Sequence, residues 1–464
     1  MKRIVMGVTL RSRSGKSIYR DLPELSTRTL DEFLPPLEAV LALQDRAASA
    51  GLCIEAITPA GLTFSADSAQ AQEQFGTRFE ARKVPFIREF DRYVPEPVAG
   101  TIRNPFGEAV ERVFVCKQSF ELTTVGSAET PPELDYHHID LPHDIQRYGE
   151  LGQLRELGLN GQGVQVAMVD TGLHAHPYFA AQHASVRAVA GNLELDAARD
   201  ERGHGTGMAA VLLAAAPSAR LTMYKACSDH YGAVLPAFQK AATSTARIIS
   251  CSWGVLGFEP QLYLDIVCAI AAGTAVIFSA GNGACDRPQA MFQTIAHPEV
   301  ISVGGCYPRQ DGSFEVADLS SSYRSELFPD RHAPDLCGIC GMLPYGQLIV
   351  MPTEPGSIYD RNNGRRDGTA PDDGWFVSSG TSAAAAYVSG LAAVILAAKP
   401  KLNPSALRAA LIDACHNVTC GQSYMREPAR AHVPDPASGF GMVTGRGVLR
   451  YLHAPEATRE RGCS

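Results

Sequence analysis

The chain has 464 residues, of which 45% are hydrophobic and 19% charged, and its formal net charge is -8. This composition is that of an ordinary globular protein with a sizeable buried core. The negative net charge argues against a nucleic-acid-binding role. No stretch approaches the roughly 18 consecutive apolar residues of a membrane span, so we expect no membrane partner.

The first residues carry some features of a secretion signal, because Lys2 and Arg3 precede the apolar run Ile4–Leu10. The run is short for the apolar part of such a signal, and it meets Arg11 without a small-residue cleavage site. A first β-strand explains the run better. We therefore expect a cytoplasmic protein, with secretion by another route left open.

Residues 1–125 predict a small α+β sandwich domain. Its predicted elements are strands over Ile4–Leu10, Cys53–Ile57, Leu62–Ser65 and Val113–Lys117, and helices over Leu30–Ala50 and Asp67–Phe79. Thr29 is expected to cap the first helix, and Gly51 to end it. Residues 126–148 lose this periodicity and gather Pro, acidic residues and His, which predicts a linker.

Residues 149–455 predict a different architecture, in which apolar strands alternate with apolar helices. The near-continuous apolar runs are Val164–Val169, Arg220–Lys225, Ile248–Ser252, Ala275–Ser279 and Val300–Val303. Strands buried on both faces have this pattern, and they occur in parallel sheets. The predicted fold class is therefore α/β, a doubly wound, mostly parallel sheet with helices on both faces. Residues 456–464 are predicted to be a C-terminal tail.

Three polar side chains lie at positions where such a sheet commonly carries its functional residues. Asp170 ends an apolar strand, and open α/β sheets bind ligands at the carboxyl ends of their strands. His204 lies between Gly203 and Gly205, which let the backbone approach a neighbour closely. Ser382 opens an apolar helix, whose first N–H groups are free. Each alone also fits a structural role, as a cap, a turn residue or a packed histidine.

A fourth residue, Asn282, ends another apolar strand and can donate a hydrogen bond through its amide. The order Asp, His, Ser is that of subtilisin and differs from the orders in chymotrypsin and the α/β-hydrolases. The motifs DTG at Asp170, GHGT at His204, SAGN at Asn282 and GTSA at Ser382 resemble those of the subtilisin-like serine proteases, the subtilases. The resemblance covers about residues 150–450.

This resemblance implies a serine endopeptidase that hydrolyses peptide bonds of protein or peptide substrates. Ser382 would attack the carbonyl, His204 would move the proton and Asp170 would orient the imidazole. Asn282 and the backbone N–H of Ser382 would hold the oxyanion. The residues implied to line the substrate cleft are Ser252, Trp253, Gly254, Ser279, Ala280 and Gly281.

No cofactor is expected to be required. Calcium sites are common in the family, yet no liganding loop can be traced in this sequence. Cys337 and Cys340 form a C-x-x-C without a second ligand pair, so buried reduced thiols are expected rather than a zinc site. The polar stretch of residues 360–373 is expected to be a surface loop, with gating of the cleft or recognition of a partner as the alternative.

The N-terminal domain resembles, more loosely, the propeptides of subtilases and sedolisins. The segments are Leu62–Ser65 and Phe75–Phe79. The resemblance implies an intramolecular inhibitor, and the alternative is an accessory domain that stays attached. Two rival functions remain at this point: a catalytically silent subtilase fold that binds a partner, and a different hydrolase that uses the same serine.

Overall fold

The computed structural model of the protein describes most of the chain. The described residues are 3–83, 93–97, 102–116, 119–120, 138–192, 195–227, 234–255, 259–283, 297–309, 311–325, 327–342, 348–363, 372–425, 427–430 and 434–454.

The N-terminal domain is built on a four-stranded antiparallel sheet. In spatial order its strands are Cys53–Thr58, Gly61–Ala66, Ile4–Leu10 and Val110–Val115. Its helices are Leu37–Ser49 and Ser68–Phe75, with 3-10 turns at Leu22–Glu24 and Leu30–Glu32 and a further strand pair of Phe79–Lys83 with Tyr93–Pro97. Apolar side chains of the sheet and the helices form its core. The strand predicted over Val113–Lys117 begins three residues earlier, at Val110. The strand Ile4–Leu10 has its predicted bounds.

The first predicted helix is too long at its N-terminal end. Helix Leu37–Ser49 begins after Pro36, whose φ of -60° and ψ of 139° lie outside the helical region. Proline restrains the residue before it from helical angles, so the consecutive prolines at 35 and 36 separate the Leu30–Glu32 turn from the helix. Gly51, with a φ of +69°, follows the end of the helix as predicted.

The second predicted helix is too long at its C-terminal end. Asp67 starts it through a reciprocal capping box with Gln70. The helix ends at Phe75 because Gly76 adopts a left-handed conformation with a φ of +69°. Phe79, predicted as the last helical residue, is instead the first residue of a strand.

The large domain contains a ten-stranded sheet, mostly parallel, which confirms the predicted fold class. In spatial order its strands are Ser185–Ala190, Arg220–Lys225, Gln165–Asp170, Ile248–Cys251, Ala275–Ser279, Ile301–Pro308, Leu336–Ile339, Met442–Val443 and Cys415–His416, with Phe314–Val316 paired to Ile301–Pro308. The strands from Ser185–Ala190 to Met442–Val443 are all parallel, and the remaining two pair antiparallel. The edge strand Ser185–Ala190 was not predicted because it is half exposed and lacks an apolar run.

Helices cover both faces of this sheet. Within the described residues, the helices of the large domain are His143–Tyr148, Gly152–Glu156, Pro177–Ala181, His204–Ala215, Val234–Ala242, Pro260–Ala271, Ile358–Asn363, Thr381–Ala398, Pro404–Asp413 and Gly445–His453. His204–Ala215 and Thr381–Ala398 pack on one face, and Val234–Ala242 and Pro260–Ala271 on the other. Alternate residues of each strand point to the two faces, which explains why the strands are apolar throughout.

One helix in the described part of the chain, Thr381–Ala398, is long and apolar enough to cross a membrane by length and composition alone. Within the fold, 89% of that segment is buried. It is therefore the central helix of the core, where a helix that is apolar on every side is expected.

The C-terminal part of the predicted linker belongs to the large domain. Strand Ile139–Asp140 pairs with strand Ile349–Pro352, which in turn pairs with Trp375–Ser378. Helix His143–Tyr148 follows directly and buries Ile145. The rest of the predicted linker, residues 126–137, lies outside the described residues, as does the predicted tail of residues 456–464.

The polar stretch of residues 360–373 begins differently from the predicted surface loop. Its first residues are part of helix Ile358–Asn363, and Asp360 is fully buried. The Asp360 carboxylate accepts hydrogen bonds from the backbone N–H groups of Gly356 and Gly374. Residues 364–371 lie outside the described part of the chain.

The cysteines of the described segments are free thiols. Cys337 and Cys340 lie buried at the Leu336–Ile339 strand, and burial raises the pKa of the Cys340 thiol well above its ordinary value. Within the described residues, no group of three or more His, Cys, Asp and Glu side chains could hold a metal ion.

Candidate active site

Three neighbouring strands end at the same edge of the sheet and deliver the predicted residues there. Val169 lies opposite Cys251, and Cys251 lies opposite Phe278. The residues that come next in the chain after these three are therefore neighbours in space. They are Asp170, Ser252 and Ser279.

Asp170 and His204 form a buried pair. The distance between Asp170 Oδ1 and His204 Nδ1 is 2.7 Å, and the residues are 2% and 4% exposed. Asp170 Oδ1 also accepts a hydrogen bond of 2.8 Å from the Thr171 N–H. Because the carboxylate accepts a hydrogen bond from the Nδ1–H group, the other ring nitrogen, Nε2, is the one that can act as a base. The Tyr359 ring lies 5.7 Å from the imidazole and packs beside it.

The glycines beside His204 allow a close approach of two loops, as the sequence predicted. Gly203 has a φ of +95° and forms the N-terminal cap of the histidine helix. A Cβ atom at Gly205 would lie 2.3 Å from the carbonyl oxygen of Gly172. A larger residue at Gly205 would push apart the loops that carry Asp170 and His204.

A second carboxylate, Asp200, holds these loops together. Asp200 is completely buried and accepts hydrogen bonds from the Thr171 hydroxyl, the Gly203 N–H, and both the N–H and the hydroxyl of Thr206. The distances lie between 2.6 and 3.0 Å. Burial raises the pKa of Asp200, while these four donors oppose that rise. The Asp200 N–H in turn donates to Glu354.

Ser382 lies at the beginning of helix Thr381–Ala398 and is 9% exposed. Its hydroxyl donates to the carbonyl oxygen of Ser252 at 3.2 Å. The Ser252 hydroxyl donates back to the Ser382 carbonyl oxygen at 2.9 Å. This reciprocal pair fixes the first turn of the helix against the strand end at Cys251.

The helices that carry His204 and Ser382 lie side by side. A Cβ atom at Gly390 would lie 2.6 Å from the Ala215 side chain and 2.6 Å from the Leu212 carbonyl. Each helix starts at the carboxyl end of a neighbouring strand, since His204 contacts Asp170 and Ser382 contacts Ser252. Their first residues are consequently at the same edge of the sheet as Asp170.

The Asn282 amide is oriented by the residue before the serine. Thr381 donates to Asn282 Oδ1 through both its N–H and its hydroxyl, each at 2.8 Å. The Thr381 hydroxyl also accepts a 3.0 Å hydrogen bond from the Gly281 N–H. With Oδ1 held in this way, the Asn282 Nδ2 group lies on the side of Gly380, beside the start of the serine helix.

The residues predicted to line the substrate cleft differ in what they contribute to it. The Trp253 side chain is buried, donates from Nε1 to the Val169 carbonyl at 2.7 Å and packs on Phe278, so it supports the strand from inside. Gly254 offers backbone instead, in strand Gly254–Val255, which pairs antiparallel with Ser119–Phe120. The segment Ser279–Gly281 is buried, and its Ala280 N–H is bonded to the Val303 carbonyl oxygen.

Sequence reasoning missed four residues that hold the site. Asp200 stands four positions before His204, and Thr381 stands directly before Ser382, so both were within reach of a motif search. Thr171 was also visible within the DTG motif. Tyr359 comes from a distant helix, and the sequence contains no signal for its contact with His204.

Comparisons with known proteins identify the family that this chain matches. The model of the subtilase family (Peptidase_S8) matches residues 161–441. Subtilisin DY from Bacillus licheniformis is 26% identical over 278 residues, which cover 56% of this chain and 86% of that protein. The serine protease AprX from Bacillus subtilis is 26% identical over 284 residues, which cover 54% of this chain and 60% of that protein.

Solved structures show the same fold. Fervidolysin from Fervidobacterium pennivorans, a keratinolytic enzyme related to subtilisin, has a TM-score of 0.60 at 16% identity, and the match covers 98% of this chain and 61% of that chain. A lanthipeptide protease has a TM-score of 0.52 at 18% identity, covering 66% of this chain and 94% of that chain.

Proposed function

This chain belongs to the subtilase family and is a serine-type endopeptidase, and we propose that Asp170, His204 and Ser382 are its catalytic triad. The observation that carries the proposal is the buried 2.7 Å contact between Asp170 and His204 at the edge where Ser382 begins its helix. This serine lies at the positive end of a helix dipole, and His204 at the same edge of the sheet would be its base.

The proposed reaction follows from these positions. The Ser382 hydroxyl turns from the Ser252 carbonyl and passes its proton to His204 Nε2 as it attacks the scissile carbonyl. Asp170 stabilises the imidazolium that forms. His204 then gives the proton to the leaving amine, and water, activated in the same way, releases the second product from Ser382.

The negative charge that develops on the substrate oxygen needs donors that are already in place. We assign this role to the Asn282 Nδ2 group and the Ser382 N–H. The Thr381 contacts support the assignment, because they fix the amide with its donor side towards Gly380. Removal of one such donor costs about 10²–10³ in turnover.

The test is a Ser382→Ala variant of the full-length chain. The Ser382 hydroxyl makes a hydrogen bond to the Ser252 carbonyl, worth about 0.5–1.5 kcal/mol, so the fold should persist while peptide hydrolysis falls by several orders of magnitude. A fluorophosphonate probe should label Ser382 of the parent chain, read by mass mapping. Labelling of a different serine, or equal hydrolysis by variant and parent, would contradict the assignment. A silent subtilase fold would give neither label nor hydrolysis.

We also propose that residues 1–125 inhibit the endopeptidase within the same chain. The pairing of Ser119–Phe120 with Gly254–Val255 supports this proposal, because an extended segment bound by backbone pairing is how a peptide occupies a cleft edge. The last described strand of the N-terminal domain is thus paired with Gly254, one of the residues assigned to substrate binding.

A buried network of hydrogen-bonded polar side chains links the two domains and supports the same proposal. Thr63 donates to Gln239 at 2.8 Å, and Thr9 donates to Gln261 at 2.7 Å. Both glutamines in turn donate to the carboxylate of Asp265, at 2.8 and 3.1 Å. Because these side chains are polar, this surface of the large domain would be well solvated after the N-terminal domain is removed.

A segment between the first strand and the first helix widens this interface. Its apolar side chains pack on helix Pro260–Ala271. Thr27 donates to Glu299 through its N–H and hydroxyl, and the Leu25 carbonyl lies 3.1 Å from His297 Nε2. These contacts hold the N-terminal domain to the large domain independently of the cleft.

The inhibition is tested by weakening the interface without touching the cleft. Thr63→Arg places a charge in a buried contact and should raise peptidase activity, whereas Glu73→Arg, on an exposed helix, should not. Self-cleavage should fall between residues 118 and 148 and should be absent in Ser382→Ala. If Thr63→Arg leaves activity unchanged and the intact chain is fully active, residues 1–125 form an accessory domain.

A further inference from the structure

A late turn of the chain lies against the loop that carries Asn282. A Cβ atom at Gly283 would lie 2.1 Å from Cγ and 2.2 Å from Cδ2 of Tyr424, so the tyrosine ring occupies the space of a side chain at this position. Gly283 also has a φ of +62°, which favours glycine. Because Gly283 directly follows Asn282, the Tyr424 ring is one residue away from the proposed oxyanion donor.

The short segment Ser320–Ser322 joins this turn to the loop. The Tyr424 N–H donates to the Ser320 carbonyl oxygen at 2.9 Å, and the Ser423 and Ser322 hydroxyls are 2.6 Å apart. The middle serine of the segment accepts a 3.0 Å hydrogen bond from the Gly283 N–H and donates from its own N–H to the Gly281 carbonyl. The turn and the loop therefore form one hydrogen-bonded layer.

Tyr424 is exposed although its surroundings are ordered. Its side chain is 43% exposed, while the preceding Ser423 is 1% exposed. Met425, next in the chain, is 41% exposed. A large ring that is fixed through its backbone and open to solvent beside a catalytic loop offers a rigid contact surface for a ligand at a low entropic cost.

We infer, resting on the proposed function, that Tyr424 forms a wall of the pocket for the substrate side chain before the scissile bond and limits its size. Gly283 lies two residues after Ser279–Gly281, the segment assigned to this pocket, and the Tyr424 ring fills the space that a side chain at Gly283 would take. A pocket shortened in this way favours small side chains, such as alanine, over large aromatic ones.

The experiment compares two peptides that differ only in the residue before the cleaved bond, alanine or phenylalanine, on the full-length protein incubated until its activity is constant. The parent should prefer the alanine peptide. Tyr424→Ala should raise the ratio of kcat/KM for phenylalanine over alanine by about tenfold or more, the scale of one or more methylene-sized changes in a pocket. Tyr424→Phe keeps the ring and should keep the parent ratio.

Met425→Ala is the matched control, since it removes a neighbouring exposed side chain and should leave the ratio unchanged. An unchanged ratio in Tyr424→Ala, or an equal fall with both peptides, overturns the inference. Fluorophosphonate labelling of Ser382 is measured in every variant. If the parent is neither labelled nor active, the proposed function fails and the inference falls with it, whereas labelled variants with the parent ratio refute only the role of Tyr424.

Discussion

The hydroxyl of Thr381 offers a sharp test of how the loop that carries Asn282, the proposed oxyanion donor, is held. It donates to Asn282 Oδ1 at 2.8 Å and accepts from the Gly281 N–H at 3.0 Å. Thr381→Val keeps the shape of this buried side chain and removes both contacts. The Thr381 N–H still donates to Asn282 Oδ1, so half of the support for the amide remains.

The expected magnitude follows from these contacts. One neutral hydrogen bond contributes about 0.5–1.5 kcal/mol, and if all of it is used in the transition state, kcat falls by about 2- to 13-fold. Asn282→Ala removes the donor itself and should cost about 10²–10³. The Gly281 N–H loses its acceptor as well, which should lower the free energy of unfolding by about 1–3 kcal/mol.

The assay is a double-mutant cycle of kcat with a chromogenic peptide. In the Asn282→Ala background the Thr381 hydroxyl has no amide to orient, so Thr381→Val should reduce kcat no further. Thr274→Val, which removes a buried hydroxyl bonded to the Ala246 carbonyl at the far end of the strand, should leave kcat unchanged. Equal losses from Thr381→Val in both backgrounds, or no loss at all, would refute the positioning role.

Three further predictions concern buried charge and close packing. Burial raises the pKa of Asp265 to about 7, so its proton stabilises the folded chain below about pH 4 and this contribution is lost as the pH rises to about 7. Asp265→Asn should therefore gain stability over the parent across this range, by up to about 4 kcal/mol in urea unfolding, and parallel curves would contradict this. Asp200→Asn places an amide N–H group against fixed donors, so it should lower the unfolding midpoint and should lower kcat by about tenfold. A change in stability without a change in kcat would limit Asp200 to a structural role. Gly205→Ala should lower kcat more than KM changes, because the added methyl meets the Gly172 carbonyl, and full activity would show that the loops can separate without loss.

The sequence predicted the fold class because the relevant signals are local. Strands buried on both faces are apolar throughout, as in Ala275–Ser279, and this pattern is visible without a structure. The capping of Ser68–Phe75 by Asp67 is equally local. The errors in the two predicted helices of the N-terminal domain arose at element ends, where Pro36 and Gly76 control the backbone more strongly than apolar periodicity does.

The residues of the candidate site likewise divide into those that stand in local motifs and those that depend on tertiary packing. Asp170, His204, Asn282 and Ser382 stand in short motifs, so their chemistry could be predicted from the order of the residues alone. The contact between Tyr359 and His204, from elements far apart in the chain, depends on how the layers pack.

Only the tertiary structure determined which residues far apart in the sequence contact one another. The Ser320–Ser322 segment carries no motif, yet it joins the Asn282 loop to Tyr424. Asp265 stands in helix Pro260–Ala271, and its burial beside Gln239 and Gln261, which also bond the N-terminal sheet, raises its pKa. Burial and contact between distant segments are properties of the assembled layers, so no local pattern encodes them.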